Sequence, residues 1–229
     1  MKIISFDIGL KTCSVAIEEY PDPSLNNDWD EYKLPNNPNV KYLKGGECTT
    51  EFGAYIDAVG AIGKILWLEK RELGDKKAFF AYAAYKNLYR WCEDLSEHLS
   101  TADIILIEQQ MKCNNIALAL MYHLQAYLLI HFPELRVVLY PSKNKTRVLG
   151  APLKVVNDLG KLSKVTKYQR KKWSTECAEK LLKARIESDV SQATWYDYIF
   201  KLNKSKKDDL SDVLMQSLSY VIKQKCKLS

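Results

Sequence analysis

The chain has 229 residues, 47% apolar and 27% charged, a composition expected of a globular protein with a core of its own. No apolar run reaches the roughly 20 residues a membrane-spanning helix needs, and Asp7 interrupts the first apolar stretch too early for a secretory leader. The net charge of +6 favours a polyanionic partner, but weakly while its distribution is ignored.

Residues 2–8 form a short apolar run ending in Asp7-Ile8-Gly9, and residues 13–19 are apolar again after Gly-Leu-Lys-Thr. Together they predict a hairpin, with Gly9 relieving strain at the turn. Residues 21–50 hold Pro21, Pro23, Pro35, Pro38 and Gly45-Gly46, which predicts an irregular insertion. Residues 62–70 suggest a third strand. Over 77–99, Phe80, Ala84, Leu88, Trp91 and Leu95 fall at helical spacing and predict a core-facing helix. Asp103 to Glu108 reads D-I-I-L-I-E, a strand buried on both faces in mid-sheet. Residues 114–131 return to helical spacing, Leu135 to Tyr140 is a strand closed by Pro141, and 169–186 and 206–223 read as helices. This order predicts an α/β domain around a mixed sheet.

Cys13, Cys48, Cys92, Cys113, Cys177 and Cys226 show neither a C-x-x-C pair nor zinc spacing. Free thiols in a reducing compartment such as the cytoplasm are expected. His98, His123 and His131 are scattered and read as packing or surface residues. The chemistry therefore falls to carboxylates and lysines. Between Lys143 and Lys172 stand ten Lys/Arg: Lys143, Lys145, Arg147, Lys154, Lys161, Lys164, Lys167, Arg170, Lys171 and Lys172. Asp158 is the single acid there. Such a block is the electrostatic footprint of phosphate-backbone binding, or else a solvated loop.

Asp7 and Glu108 each end an apolar strand, where a carboxylate is costly unless paired or metal-bound. Asp209 and Asp212, three apart, share a face if the last segment opens a helix. Acids in a first helical turn also complement the dipole, and Asp208 suits an N-cap. Asp212 is harder to explain so, because Val213, Leu214 and Leu218 face a core. Such carboxylates match magnesium, which prefers oxygen ligands, and paired ions suit phosphodiester hydrolysis.

At these residues the chain resembles the RuvC-like Holliday junction resolvases, in their poxvirus and mitochondrial branch. I-S-F-D-I-G-L-K-T-C-S-V-A-I is similar to their first motif and D-I-I-L-I-E-Q-Q to their second acidic strand. K-K-D-D-L-S-D resembles the C-terminal acidic pair, and R-K-K-W-S-T-E, from Arg170, resembles the basic helix start of the poxvirus enzymes. Order and rough spacing match over the whole chain, although residues 20–100 carry little similarity.

The resemblance implies a ribonuclease H-like α/β fold, a mixed five-stranded sheet flanked by helices, as a single domain over 1–229. An irregular insertion falls at about 20–60 and a basic loop at about 143–172. It implies a homodimer that nicks four-way DNA junctions in pairs, with two Mg2+ per site, replaceable by Mn2+. Asp7, Glu108, Asp209 and Asp212 become the metal ligands. Lys171 becomes the lysine near the scissile phosphate, with Lys172 adjacent and Lys145 at a second lysine position. Lys143, Lys145, Arg147, Lys167, Arg170 and Lys172 are expected to touch DNA. Gln109 and Gln110 would orient the site or be solvated. Tyr168 and Trp173 would stack on bases, or Trp173 would pack on the sheet. A viral member would act where the virus replicates.

Two other readings stay open. D-I-G-L-K-T also resembles the first phosphate loop of actin-like and sugar-kinase-like ATPases, which use two copies of the fold and a second D-x-G; the chain is short for that. The same nuclease fold could also cut other branched DNA or RNA–DNA hybrids. A catalytically dead binding module is disfavoured by the presence of all four acids.

Overall fold

The turn at Gly9 shapes the first hairpin. A Cβ there would lie 2.8 Å from the Thr12 carbonyl oxygen, so close approach, not a left-handed φ, selects glycine. A computed structural model describes residues 1–22, 29, 31–75, 77, 82–156 and 161–228. Pro23, Phe80 and Asp158 lie outside the described residues.

The elements run β1 (Lys2–Asp7), β2 (Cys13–Glu19), α1 (Thr50–Ala61), β3 (Lys64–Arg71), α2 (Ala83–Asp94) and α3 (Ser96–Ser100). Then come β4 (Ile104–Gln109), α4 (Asn115–His131), β5 (Arg136–Pro141), α5 (Ser142–Val148), β6 (Lys154–Val156) and β7 (Leu162–Lys164). Last are α6 (Lys167–Ser188), α7 (Ala193–Asp197) and α8 (Lys207–Lys225), with short 3-10 and π turns around α7. The chain divides into two compact units: Met1–Tyr20 with Lys64–Ser142, and Pro21–Gly63 with Lys143–Ser229.

The first unit is built on a mixed five-stranded sheet of order β3-β2-β1-β4-β5, as expected. β3, β2 and β1 are antiparallel neighbours, and β1, β4 and β5 are parallel. Ile104–Ile107 are all buried, which fits a central parallel strand covered on both faces. On one face Ile4, Phe6, Val15, Ile17, Ile105 and Ile107 form a core cluster with α2 and α4 residues Leu88, Trp91, Leu120 and Leu124. Trp91 meets Phe6 edge-on, ring centroids 5.7 Å apart, and its Nε1 donates to Glu69 Oε2 at 3.2 Å. Its bulk is thus satisfied by packing and its polar tip by a carboxylate.

In the second unit α1, α6 and α8 pack together. Gly60 allows this: a Cβ there would sit 2.6 Å from Leu181 Cδ1. The buried Arg185 of α6 donates Nε–H to the Gly60 carbonyl at 3.0 Å. Gly46, at φ +88°, turns the chain where its missing Cβ would strike the Leu153 side chain at 2.7 Å.

Four expectations change. The stretch taken as irregular over about 20–60 is helical at Thr50–Ala61, because Thr49 caps α1 by accepting from Phe52 N–H. The basic stretch over about 143–172 is not a loop: it holds α5, the β6–β7 hairpin and the start of α6. A capping box of Thr166 and Gln169 starts α6 two residues early, at Lys167. The helix expected over 77–99 breaks at Leu95, into α2 and α3. Trp91→Ala should lower unfolding free energy by about 3–5 kcal/mol, measured by denaturant titration; a loss under about 1 kcal/mol would contradict this packing.

Candidate active site

Asp7 ends β1, and Glu108 is the last residue but one of the adjacent parallel strand β4, in the first unit. The register pairs Phe6 with Ile107; continued by one residue, it sets Asp7 beside Glu108. Neighbouring strands lie about 4.8 Å apart, and side chains alternate faces. Both acids therefore point to the sheet face opposite Phe6 and Ile107, which belong to the α2–α4 core. Ser14 pairs with Asp7 across β1–β2. Ser14 Oγ and Ser5 Oγ, on that same face, are buried with no hydrogen-bond partner among the described residues. The carboxylates thus stand in a polar strip set into an apolar sheet.

The second unit carries the other acids on the first turns of α8. Lys206, which makes no side-chain cap bond, is the N-cap, so Asp208 is inside the helix. Asp208 instead forms an ion pair with Lys171 of α6. Lys171 Nζ also lies 3.5 Å from Asp209, and Lys206 Nζ lies 3.9 Å from it. Asp212 accepts from Ser174 Oγ at 2.7 Å and pairs with Lys145 Nζ at 3.4 Å. Lys171 and Ser174, three apart, share a face of α6, just as Asp209 and Asp212 share one of α8.

The charges follow from this packing. Burial and the neighbouring Asp208 push the Asp209 carboxyl above the ordinary aspartate value, and nearby lysines only partly oppose them. Burial also raises Asp208, but its bond to Lys171 outweighs that and leaves it lowered. Burial would lower the Lys171 ammonium; the bond to Asp208 and the charges of Asp208, Asp209 and Asp212 hold it above the usual lysine value.

All these donors are hard carboxylate oxygens, which suit magnesium. Within neither unit do three or more His, Cys, Asp or Glu among the described residues form a metal-holding group. The donor chemistry of each pair taken by itself, Asp7 with Glu108 and Asp209 with Asp212, fits a divalent cation.

Lys143, Arg147, Lys167, Arg170 and Lys172 are exposed, as DNA contacts require. Lys145 is the exception: it is buried and aimed at Asp212. Tyr168 is exposed, whereas Trp173 helps line an apolar cavity of about 220 Å³ within the second unit. Gln110 Nε2 donates to the Glu108 carbonyl at 3.4 Å, and Gln109 is exposed. His123 stacks on Tyr85 and lies 2.6 Å from Tyr89 Oη, a packing role. All six cysteines are free thiols. Sequence reasoning missed Ser174 and Asp208 as partners of the acidic turn; the three-residue spacing from Lys171 to Ser174 was the available signal.

Strand order and layers define the class: a ribonuclease H-like α/β fold. The chain superposes on the Fowlpox virus resolvase bound to substrate Holliday junction DNA with a TM-score of 0.51, at 16% identity, each chain covered over 100% of its length. No family model matches the sequence. It is 31% identical over 227 residues to "Uncharacterized protein 97L" of Invertebrate iridescent virus 3, covering 95% of this chain and 98% of that one. It is 33% identical over 148 residues to "Uncharacterized protein 170L" of Invertebrate iridescent virus 6, covering 59% and 57%. The chain belongs to the family of the iridescent virus protein 97L. Among the described residues no helix is long and apolar enough to cross a membrane.

Asp208→Asn removes the like charge beside Asp209 and frees Lys171 for it. The Asp209 titration midpoint should then move down towards the ordinary aspartate value in a carboxyl NMR titration. An upward move would refute this reading of the turn.

Proposed function

We propose that this protein is a structure-selective endonuclease that resolves four-way DNA junctions by paired, metal-dependent nicks. The observation that carries the reading is the placement of acids in a ribonuclease H-like fold: Asp7 beside Glu108 at parallel strand ends, and Asp209 with Asp212 at the start of the last helix. The fold likeness to a resolvase bound to junction DNA supports it.

Asp7, Glu108, Asp209 and Asp212 would hold Mg2+, two ions per site, with Mn2+ able to substitute. Magnesium, when bound, supplies Lewis-acid stabilisation of the charge that develops on the phosphodiester. Lys171, a full cation held among Asp208 and Asp209, adds electrostatic stabilisation once phosphate approaches. Lys145 and Ser174 orient Asp212 through its two oxygens. Water attacks phosphorus in line, the P–O3′ bond breaks, and the 3′ oxygen takes up a proton. The products are a 5′-phosphate and a 3′-hydroxyl. A homodimer would present two such sites to opposed strands. Exposed Lys143, Arg147, Lys167, Arg170 and Lys172 would hold the backbone.

The ATPase reading loses ground on architecture. A second D-x-G does occur, Asp158-Leu159-Gly160, outside the described residues. Yet the described residues form one five-stranded sheet and a separate two-stranded one, where such ATPases use two copies of the fold.

The test incubates the protein with labelled four-way junction, matched duplex and RNA–DNA hybrid, with and without Mg2+. Symmetric paired nicks on the junction alone, only with metal, are expected. Asp209→Asn and Asp7→Asn should each cut at least roughly a hundredfold more slowly while still binding the junction. Full cutting by Asp209→Asn with Mg2+ would sink the assignment, and preferential cutting of the hybrid would redirect the substrate.

A further inference from the structure

The β6–β7 hairpin is hard to explain as a folding element. Two-stranded hairpins are marginal by themselves, and this one pairs like with like. Lys154 sits directly opposite Lys164, and Val156 opposite Leu162. Like charges directly opposite destabilise a strand pair. By strand alternation these four side chains share one face, and all four are exposed: Val156 at 65% and Leu162 at 70%. Val155 and Ser163 take the other face and are half-buried. The base of the hairpin is tied down, with Leu153 N–H donating to the Gly45 carbonyl at 3.1 Å and Leu153 packed against Gly46.

The lysine pair belongs to a larger feature. A groove of about 470 Å³ in the second unit is lined by Lys143, Arg147, Lys154, Lys164 and Arg170, and among the described residues no acid lines it. Among the described residues none of these five cations has an ion-pair partner. By contrast, Lys171 and Lys145, at the acidic turn, are both paired. Five unneutralised cations around one groove call for a polyanion.

We propose that this groove grips a DNA phosphate backbone while Val156 and Leu162 wedge against exposed bases where strands separate at a branch. The inference rests on the nuclease reading for its substrate and adds the element that discriminates a junction from plain duplex. Cations fit phosphates, which every duplex offers equally. An exposed apolar pair beside them fits the flat face of an unstacked base, which only a branch, bubble or end offers. A basic apolar surface also suits anionic membranes, but a groove lined by five cations tracks a strand better than a sheet of headgroups.

The test measures binding of full-length protein to labelled junction and duplex without Mg2+, across a range of salt. Lys154→Gln with Lys164→Gln should weaken both complexes and reduce the slope of log affinity against log salt by roughly 2, at about 0.9 per phosphate contact. Lys154→Arg with Lys164→Arg should restore that slope. Val156→Ser with Leu162→Ser should keep the parent's slope yet cost the junction about tenfold more affinity than the duplex. All four side chains are exposed, and an unchanged thermal midpoint checks folding.

A parent slope in the glutamine variant, or a parent junction preference in the serine variant, would overturn the proposal. So would loss of binding to phosphatidylserine vesicles with DNA binding intact. The two readings fail separately: binding effects as described without any cleavage would sink the nuclease and leave the wedge. Normal cleavage and normal binding in the hairpin variants would do the reverse.

Discussion

The parallel pairing of β1 with β4 is the constraint on which the site depends. It fixes Phe6 against Ile107, and the next residue of each strand is an acid. Two carboxylates side by side repel, and both adjoin fully buried aliphatics. Under the proposed function, a divalent cation held by both acids would offset that repulsion.

The last helix solves a similar electrostatic problem differently. Its acids sit in the first turns, where the dipole favours them, but the N-cap Lys206 makes no side-chain cap bond. α6 supplies the compensation instead: Lys171 for Asp208 and Asp209, and Ser174 for Asp212. Lys145, buried in α5, completes it. Compensation is incomplete at Asp209, whose carboxyl stays raised. Basic residues in this region therefore divide into two kinds. Lys145 and Lys171 face inward and tune the acids. Lys143, Arg147, Lys154, Lys164 and Arg170 face a groove and, among the described residues, lack carboxylate partners.

The sequence was most informative where one physical requirement dominated. D-I-I-L-I-E argued a buried central strand, since four consecutive aliphatics leave no polar face and the run is short for a helix. The mixed sheet followed from the order of elements. It was least informative where short-range signals competed. Proline and glycine before residue 50 obscured α1, although Thr49 caps it. Lysine-rich composition between 143 and 172 suggested a loop, although Val155 and Ser163 alternate with exposed neighbours as a hairpin demands.

By itself, then, the sequence determined which residues are anomalous: Asp7 and Glu108 at the ends of apolar strands, and a run of cations with one acid among them. Those are local properties, legible from neighbours along the chain. Tertiary structure alone decided which cations are neutralised and which are not. A lysine's role depends on what lies across from it in space: Lys145 and Lys171 meet aspartates from a helix 37 or more residues away, and Lys154 faces Lys164 across its hairpin.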